Sequence, residues 1–156
     1  MFRRVLSVLF LGWVIGFLWF VVTMPGPAGG DRTDAVIVPT GGAGRIAHGL
    51  EVLDKGLAKK MLVSGVDPEV KPGEFAADTR SNAAETAKWV AQNEVRSLRL
   101  VTTDWHMRRT ASELDRTLPD HVTVIRDAVP SQPDFGTLFL EYHKLLASRA
   151  AGLADL

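Results

Sequence analysis

The sequence contains no cysteine. That excludes disulfides, thiolate nucleophiles and cysteine-ligated metals; it is compatible with an oxidising compartment without requiring one. Excess charge of either sign is also missing, because 18 Lys and Arg residues balance 18 Asp and Glu. No overall field therefore draws the chain to nucleic acid or to anionic lipid, and basic patches interleaved with aromatics are absent. Among the four histidines no pair stands four apart with a carboxylate, so the spacing indicates no zinc site. Ser64 lacks the Gly-x-Ser-x-Gly elbow of an α/β-hydrolase nucleophile. There is no internal repeat and no low-complexity tract.

One long apolar run is present. Val5 to Val22 carries no charge and would span roughly 27 Å as a helix, close to the thickness of a bilayer's hydrocarbon. Arg3 and Arg4 precede it and the next basic residue is Arg32, so the positive-inside rule puts the N-terminus in the cytoplasm and everything after Thr23 outside. The competing reading is a cleavable signal peptide with Gly26-Pro27-Ala28 as its small-residue site. Against it, such apolar regions normally run about 7–15 residues, and proline beside a cleavage point is unfavourable. The expected organisation is an anchor over residues 1–24, a Pro/Gly-rich linker over 25–33 and one α/β domain over 34–150. Without the anchor's two arginines, 16 basic residues face 18 acidic ones, so any ligand charge must be met locally.

The domain alternates short apolar runs with helical periodicity. Strands are expected over Asp34–Val38, Met61–Val63, Leu98–Thr102 and Val122–Ile125. Helices are expected over Arg45–Lys55, with Ile46, Leu50 and Leu53 as the apolar face, then over Asn82–Gln92, Asp104–Thr117 and Phe135–Leu146. Val66–Asp78, with two prolines and a glycine, reads as a loop. This alternation predicts βαβ units, a mainly parallel sheet and right-handed crossovers, a Rossmann-like three-layer α/β domain behind one transmembrane helix.

Ligands of such sheets bind beyond the strands' carboxyl ends. There the sequence places Gly41, Gly42 and Arg45 after the first strand, Ser64 and Gly65 after the second, and Thr102, His106 and Arg109 at and after the third. The glycine loop can turn its N–H groups toward an anion over a helix N-terminus, with Arg45 adding a two-pronged contact; a tight turn with a solvated arginine is the plainer alternative. Asn82 and Glu85 have capping-box spacing, which competes with a site role. His106 falls in a first helical turn where a proton donor or an anion contact would be useful. His48 is expected on a helix flank, His121 in a solvated turn, and His143 away from the strand ends.

Four segments in order, Asp34-Ala35-Val36-Ile37-Val38 with Gly41-Gly42 and Arg45, Leu62-Val63-Ser64-Gly65, Asn82-Ala83-Ala84-Glu85-Thr86, and Leu100-Val101-Thr102-Thr103 with His106-Met107 and Arg109, resemble the YdcF-like family of bacterial envelope proteins. Ala83 and Thr86 stand where that family commonly has Thr and Asn, and the segment after Gly65 is shorter than in many relatives. The resemblance implies a pocket at the strand carboxyl ends and a role in envelope maintenance linked to peptidoglycan precursors or lipid carriers. It raises Glu85 and His106 as proton-transfer candidates, with Gly41, Gly42, Arg45, Ser64, Gly65, Asn82, Thr102 and Arg109 as ligand contacts. No cofactor is assigned; an S-adenosylmethionine-type ligand goes with one branch of the family.

The expected protein is a single-pass inner-membrane protein with its domain on the periplasmic side, holding an anionic or lipid-linked ligand. A rival reading is a non-catalytic envelope factor binding partner proteins, for which Gly12 and Gly16 provide a Gly-x-x-x-Gly helix-packing spacing. S-adenosylmethionine binding is a third, set against the outward topology because that cofactor is cytosolic.

Overall fold

The computed structural model describes residues 1–65 and 79–154, so the loop expected over 66–78 lies outside the described residues. In chain order the elements are α1 (Phe2–Val22), β1 (Ala35–Pro39), α2 (Arg45–Asp54), β2 (Lys60–Ser64), α3 (Thr79–Gln92), β3 (Ser97–Thr103), α4 (Asp104–Thr117), β4 (Thr123–Val129) and α5 (Phe135–Ala154). They form two compact units, Pro25–Ser131 and Met1–Met24 with Gln132–Leu156.

In the first unit the four strands make one parallel sheet in the order β2-β1-β3-β4. Every residue of β1 is buried, as befits a central strand covered on both faces. The chain moves one way from β1 to β2 and the other way from β2 through β3 to β4. With crossovers of one hand, that reversal sends α2 to one face and α3 and α4 to the other. The two cores follow this division. Ile37, Leu98 and Leu100 pack with Ala83, Val90, Met107, Ala111 and Leu114 of α3 and α4. Val36, Val38 and Val101 pack with Val52 of α2. The α/β architecture expected from the alternating pattern is therefore present.

The apolar face expected on α2 is only partly the face it buries, with Leu53 packed against the core of Val36, Val38 and Val52. Ile46 and Leu50 are exposed, while Arg45, Gly49 and Val52 face the sheet. The reason is close approach: a Cβ on Gly49 would stand 2.6 Å from Val38 Cγ2, so only a glycine lets the helix lie this near the strand. Periodicity ranks residues by hydrophobicity and misses a face chosen for its small size.

The 25–33 segment is stitched to the sheet. Asp127 accepts hydrogen bonds from Arg99 Nη1 at 2.8 Å, His48 Nε2 at 3.0 Å and the Ala28 N–H at 2.9 Å. Arg99 Nη2 also donates to the carbonyls of Gly29 and Asp31. Burial alone would raise the Asp127 carboxyl; the Ala28 N–H, Arg99 and His48 more than offset it and hold the group below the ordinary carboxylate range. His48 lies on the helix flank as expected, 27% exposed, and reaches from there to the buried Asp127.

The second unit pairs α1 with α5. Phe20, Tyr142 and Leu145 are its buried centre, with Trp13, Phe17, Val21 and Leu138 packed around them. Gly16 matters here, because a Cβ would collide with the Tyr142 hydroxyl, which donates to the Trp13 carbonyl at 3.2 Å. α1 is long and apolar enough to cross a membrane. Asp134 caps α5 by accepting the Thr137 N–H at 2.6 Å, and that bond lowers its carboxyl.

Candidate functional site

β1 and β3 part company near their carboxyl ends. Their pairing runs from Ala35 with Leu98 to Ile37 with Leu100 and stops there, although β1 continues to Pro39 and β3 to Thr103. This opening lies where the strand order reverses, the place where parallel sheets make a ligand crevice.

Arg45 occupies the crevice. Its side chain is buried, with Nη1 donating to the Pro39 and Thr40 carbonyls at 3.3 and 3.1 Å and Nη2 to the Thr103 hydroxyl at 2.7 Å. The guanidinium thereby ties the end of β1 to the end of β3. Gly42 makes the fit possible, since a Cβ there would lie 2.7 Å from Arg45 Cζ. The Trp105 ring lies 5.9 Å from Arg45 Cζ, near enough for a cation–π contribution. Gly41 is exposed in the turn above. Arg45 thus places a permanent positive charge under the glycine loop, buried in contacts with that loop rather than extended into solvent.

The sheet face covered by α3 and α4 carries the other candidates. Ser64 Oγ donates to Glu85 Oε2 at 2.7 Å, and the Gly65 N–H donates to the same oxygen at 3.0 Å. Gly65 has φ of 82°, and a Cβ there would sit 2.8 Å from Thr40 Oγ1 and 2.9 Å from Asn82 Oδ1. Asn82 therefore lies against the ends of both β1 and β2. The capping-box reading of Asn82 and Glu85 fails, because α3 already runs from Thr79 and Glu85 spends its carboxylate on the end of β2.

One helical turn before Asn82, Thr79 accepts a hydrogen bond from Arg109 Nη1. Arg109 Nη2 lies 3.1 Å from His106 Nδ1. A guanidinium can only donate, so Nδ1 accepts and the proton of a neutral His106 sits on Nε2. Thr102 is fully buried on this same face, and its hydroxyl has no hydrogen-bond partner among the described residues. A buried hydroxyl without a partner is uncommon and costly. The structure thus joins Ser64, Gly65, Asn82 and Glu85 into one group and His106 and Arg109, through Thr79, into a second on the same helix pair. Thr79 and the tie from Arg45 to Thr103 were not singled out from the sequence. Thr79 stands three before Asn82 on the same helical face, which is the only signal it carries.

Asp104 opens α4 and accepts from the Trp105 N–H at 2.9 Å and the Ser131 N–H at 3.1 Å, holding the end of β4 beside the end of β3. At the opposite, amino end of the strands, a half-open cavity of about 570 Å³ is lined by Val90, Glu94, Val95, Arg96, Pro119 and His121. It lies away from the convergent groups above. Among the described residues no three His, Asp or Glu side chains are placed to hold a metal ion. Neither a protein-family model, a curated protein nor a solved structure matches this chain.

Proposed function

We propose that this chain is a membrane-anchored α/β protein of the YdcF-like family, with its soluble domain on the periplasmic face of a bacterial inner membrane. There it binds or processes a phosphorylated, nucleotide-like or lipid-carrier-linked precursor of envelope biogenesis. The observation that carries this reading is the convergence at the strand carboxyl ends: Arg109 and His106 from α4 meet Thr79 of α3, on the face where the buried Thr102 hydroxyl finds no partner among the described residues. The Arg109 guanidinium suits an anion, and the fixed charge of Arg45 beneath the glycine loop adds to the local potential. Glu85 is the exposed carboxylate nearest to this chemistry along α3, and with His106 it is the candidate for proton transfer. An anchor suits a lipid-linked substrate because it confines protein and substrate to one surface.

The test is thermal stabilisation of the full chain in lipid nanodiscs against phosphate, nucleotides, nucleotide-sugars, short polyprenyl phosphates and S-adenosylmethionine. Ligand at about 100 times its Kd should add roughly 2.7 kcal/mol, visible as a higher melting temperature. Arg109→Gln should abolish that shift without unfolding the domain. Arg45→Ala is the poorer probe, because it also removes the tie between β1 and β3. A folded chain that responds to none of these compounds would favour the partner-binding role.

A further inference from the structure

The C-terminal helix carries a partly exposed apolar stripe, in which the Phe135 and Phe139 rings also edge onto Phe17 and Trp13 of α1. Phe135, Phe139, Leu146 and Leu153 are 68%, 39%, 40% and 74% exposed. Their spacings of four, seven and seven residues keep all four within about 40° of one another around a helix with 3.6 residues per turn. The neighbouring face, with Leu138, Tyr142 and Leu145, packs against Trp13, Phe17 and Phe20 of α1. Lys144 and Ser148 lie on the side away from the stripe.

Depth follows from α1. Trp13 stands near the middle of the uncharged stretch from Val5 to Val22, roughly 14 Å along the helix from Val22. The Tyr142 hydroxyl reaches the Trp13 carbonyl. If α1 spans the bilayer, Tyr142 and its neighbours on α5 therefore lie within the hydrocarbon region or at its boundary. A tyrosine hydroxyl is tolerable there because it is hydrogen-bonded. The stripe flanks this contact, so the lipid that surrounds α1 meets Phe139 and Leu146 as well. Lys144 and Arg149 oppose full insertion, since a charge at the membrane centre is costly. An amphipathic helix lying in the interface with its apolar face about 5–10 Å deep keeps those charges in water, and the long Tyr142 side chain reaches the rest of the way to the Trp13 carbonyl.

The geometry points to α5 as a second membrane-attachment element: an interfacial helix whose Phe135–Phe139–Leu146–Leu153 stripe lies in the acyl boundary of the leaflet that α1 crosses. This rests on the anchor reading of α1. It makes the chain held to lipid near both its ends, with Gly16 and Tyr142 as the clasp between the two helices.

The absence of cysteine permits a clean test. Full-length chains with one introduced cysteine (Leu146→Cys, Leu153→Cys, Leu11→Cys on α1, or Lys88→Cys on the soluble unit) are labelled with an environment-sensitive fluorophore. Each is reconstituted in phosphatidylcholine vesicles containing a minority of phosphatidylglycerol, with or without acyl chains brominated near the interface. Labels at Leu146 and Leu153 are expected to lose emission to the brominated lipid at least about twofold more than the Lys88 label, as the Leu11 label does. Quenching at Leu11 with none at Leu146 and Leu153 overturns the inference and leaves the anchor intact. A blue shift at Leu153 that depends on protein concentration but not on bromine also overturns it, in favour of a second copy of the chain. No quenching even at Leu11 overturns the anchor reading, and this inference with it.

Discussion

Ser64 and Glu85 share a 2.7 Å hydrogen bond that joins the end of β2 to the second turn of α3. The same carboxylate oxygen takes the Gly65 N–H, so one exposed glutamate holds both Ser64 and Gly65 at the end of β2. Glu85→Ala should cost about 1 kcal/mol, a modest figure because Glu85 is exposed and water replaces part of what is lost. Ser64→Ala leaves no charged partner stranded, so it should cost no more. Denaturant midpoints of both single variants and of the pair check this. If the losses simply add, the two residues are not coupled.

Arg99 and Asp127 form a buried ion pair at 2.8 Å beneath the 25–33 segment. Removing one partner leaves a charge stranded in the core, so Asp127→Ala or Arg99→Ala should destabilise by about 3–5 kcal/mol. The Arg99→Met, Asp127→Leu double variant should recover much of that loss, because no charge remains to be desolvated. A double variant no better than the singles would show that the backbone bonds to Ala28, Gly29 and Asp31 carry the stability.

Acid should destabilise the soluble unit through Asp34 and Asp127. The Arg96 N–H, then the Ser97 N–H and hydroxyl, hold the Asp34 carboxyl below its ordinary value. Asp127 is also lowered, its hydrogen bonds outweighing burial. For a group depressed in the folded state, the stabilisation is complete above the unfolded value of about 3.9 and is lost as pH falls below it through the folded value. Unfolding measured in urea from neutral pH down to about 3 should show this loss, and Asp34→Asn should flatten its slope. An unchanged slope in that variant would sink the assignment to Asp34.

Gly12 and Gly16 should behave differently despite their common spacing. A Cβ at Gly12 meets nothing within 4 Å, whereas at Gly16 it meets the Tyr142 hydroxyl. Gly12→Ala should be neutral or gain up to about 1 kcal/mol of helix propensity. Gly16→Ala should loosen α5 from α1 and cost about 1–3 kcal/mol from overpacking, with part of the loss restored by Tyr142→Phe. Cysteine crosslinking between α1 and α5 reports the contact directly. Equal behaviour of the two alanine variants would argue against this packing.

Much of the fold was legible because it depends on local pattern. The four strands and four of the five helices follow from apolar runs interrupted by Gly and Pro, and observed boundaries differ from the expected ones mostly by one to four residues. The α5 helix is the exception, continuing to Ala154 well past Leu146 because residues 147–151 hold three alanines and an arginine with no Pro or Gly. Inside each element, local pattern does not decide which side chains are buried. Ile46 and Leu50 looked like the buried face of α2, but the packing chose Gly49 and Arg45. Asn82 and Glu85 looked like a cap, and only the presence of Thr79 upstream and Ser64 across the sheet shows otherwise.

The sequence by itself determined the alternation of strands and helices, the 18-residue uncharged run and the clustering of Gly, Ser, Thr, His and Arg just past the strands. Those are properties of nearest neighbours, set by backbone preference and side-chain hydrophobicity. Tertiary structure alone decided that Arg45 fills the gap between β1 and β3, that His106 meets Thr79 through Arg109, and that Tyr142 closes over Gly16. Apart from the His106–Arg109 contact within α4, these contacts join residues 30 or more positions apart, so the partner is fixed by strand order and helix placement, which no local spacing encodes.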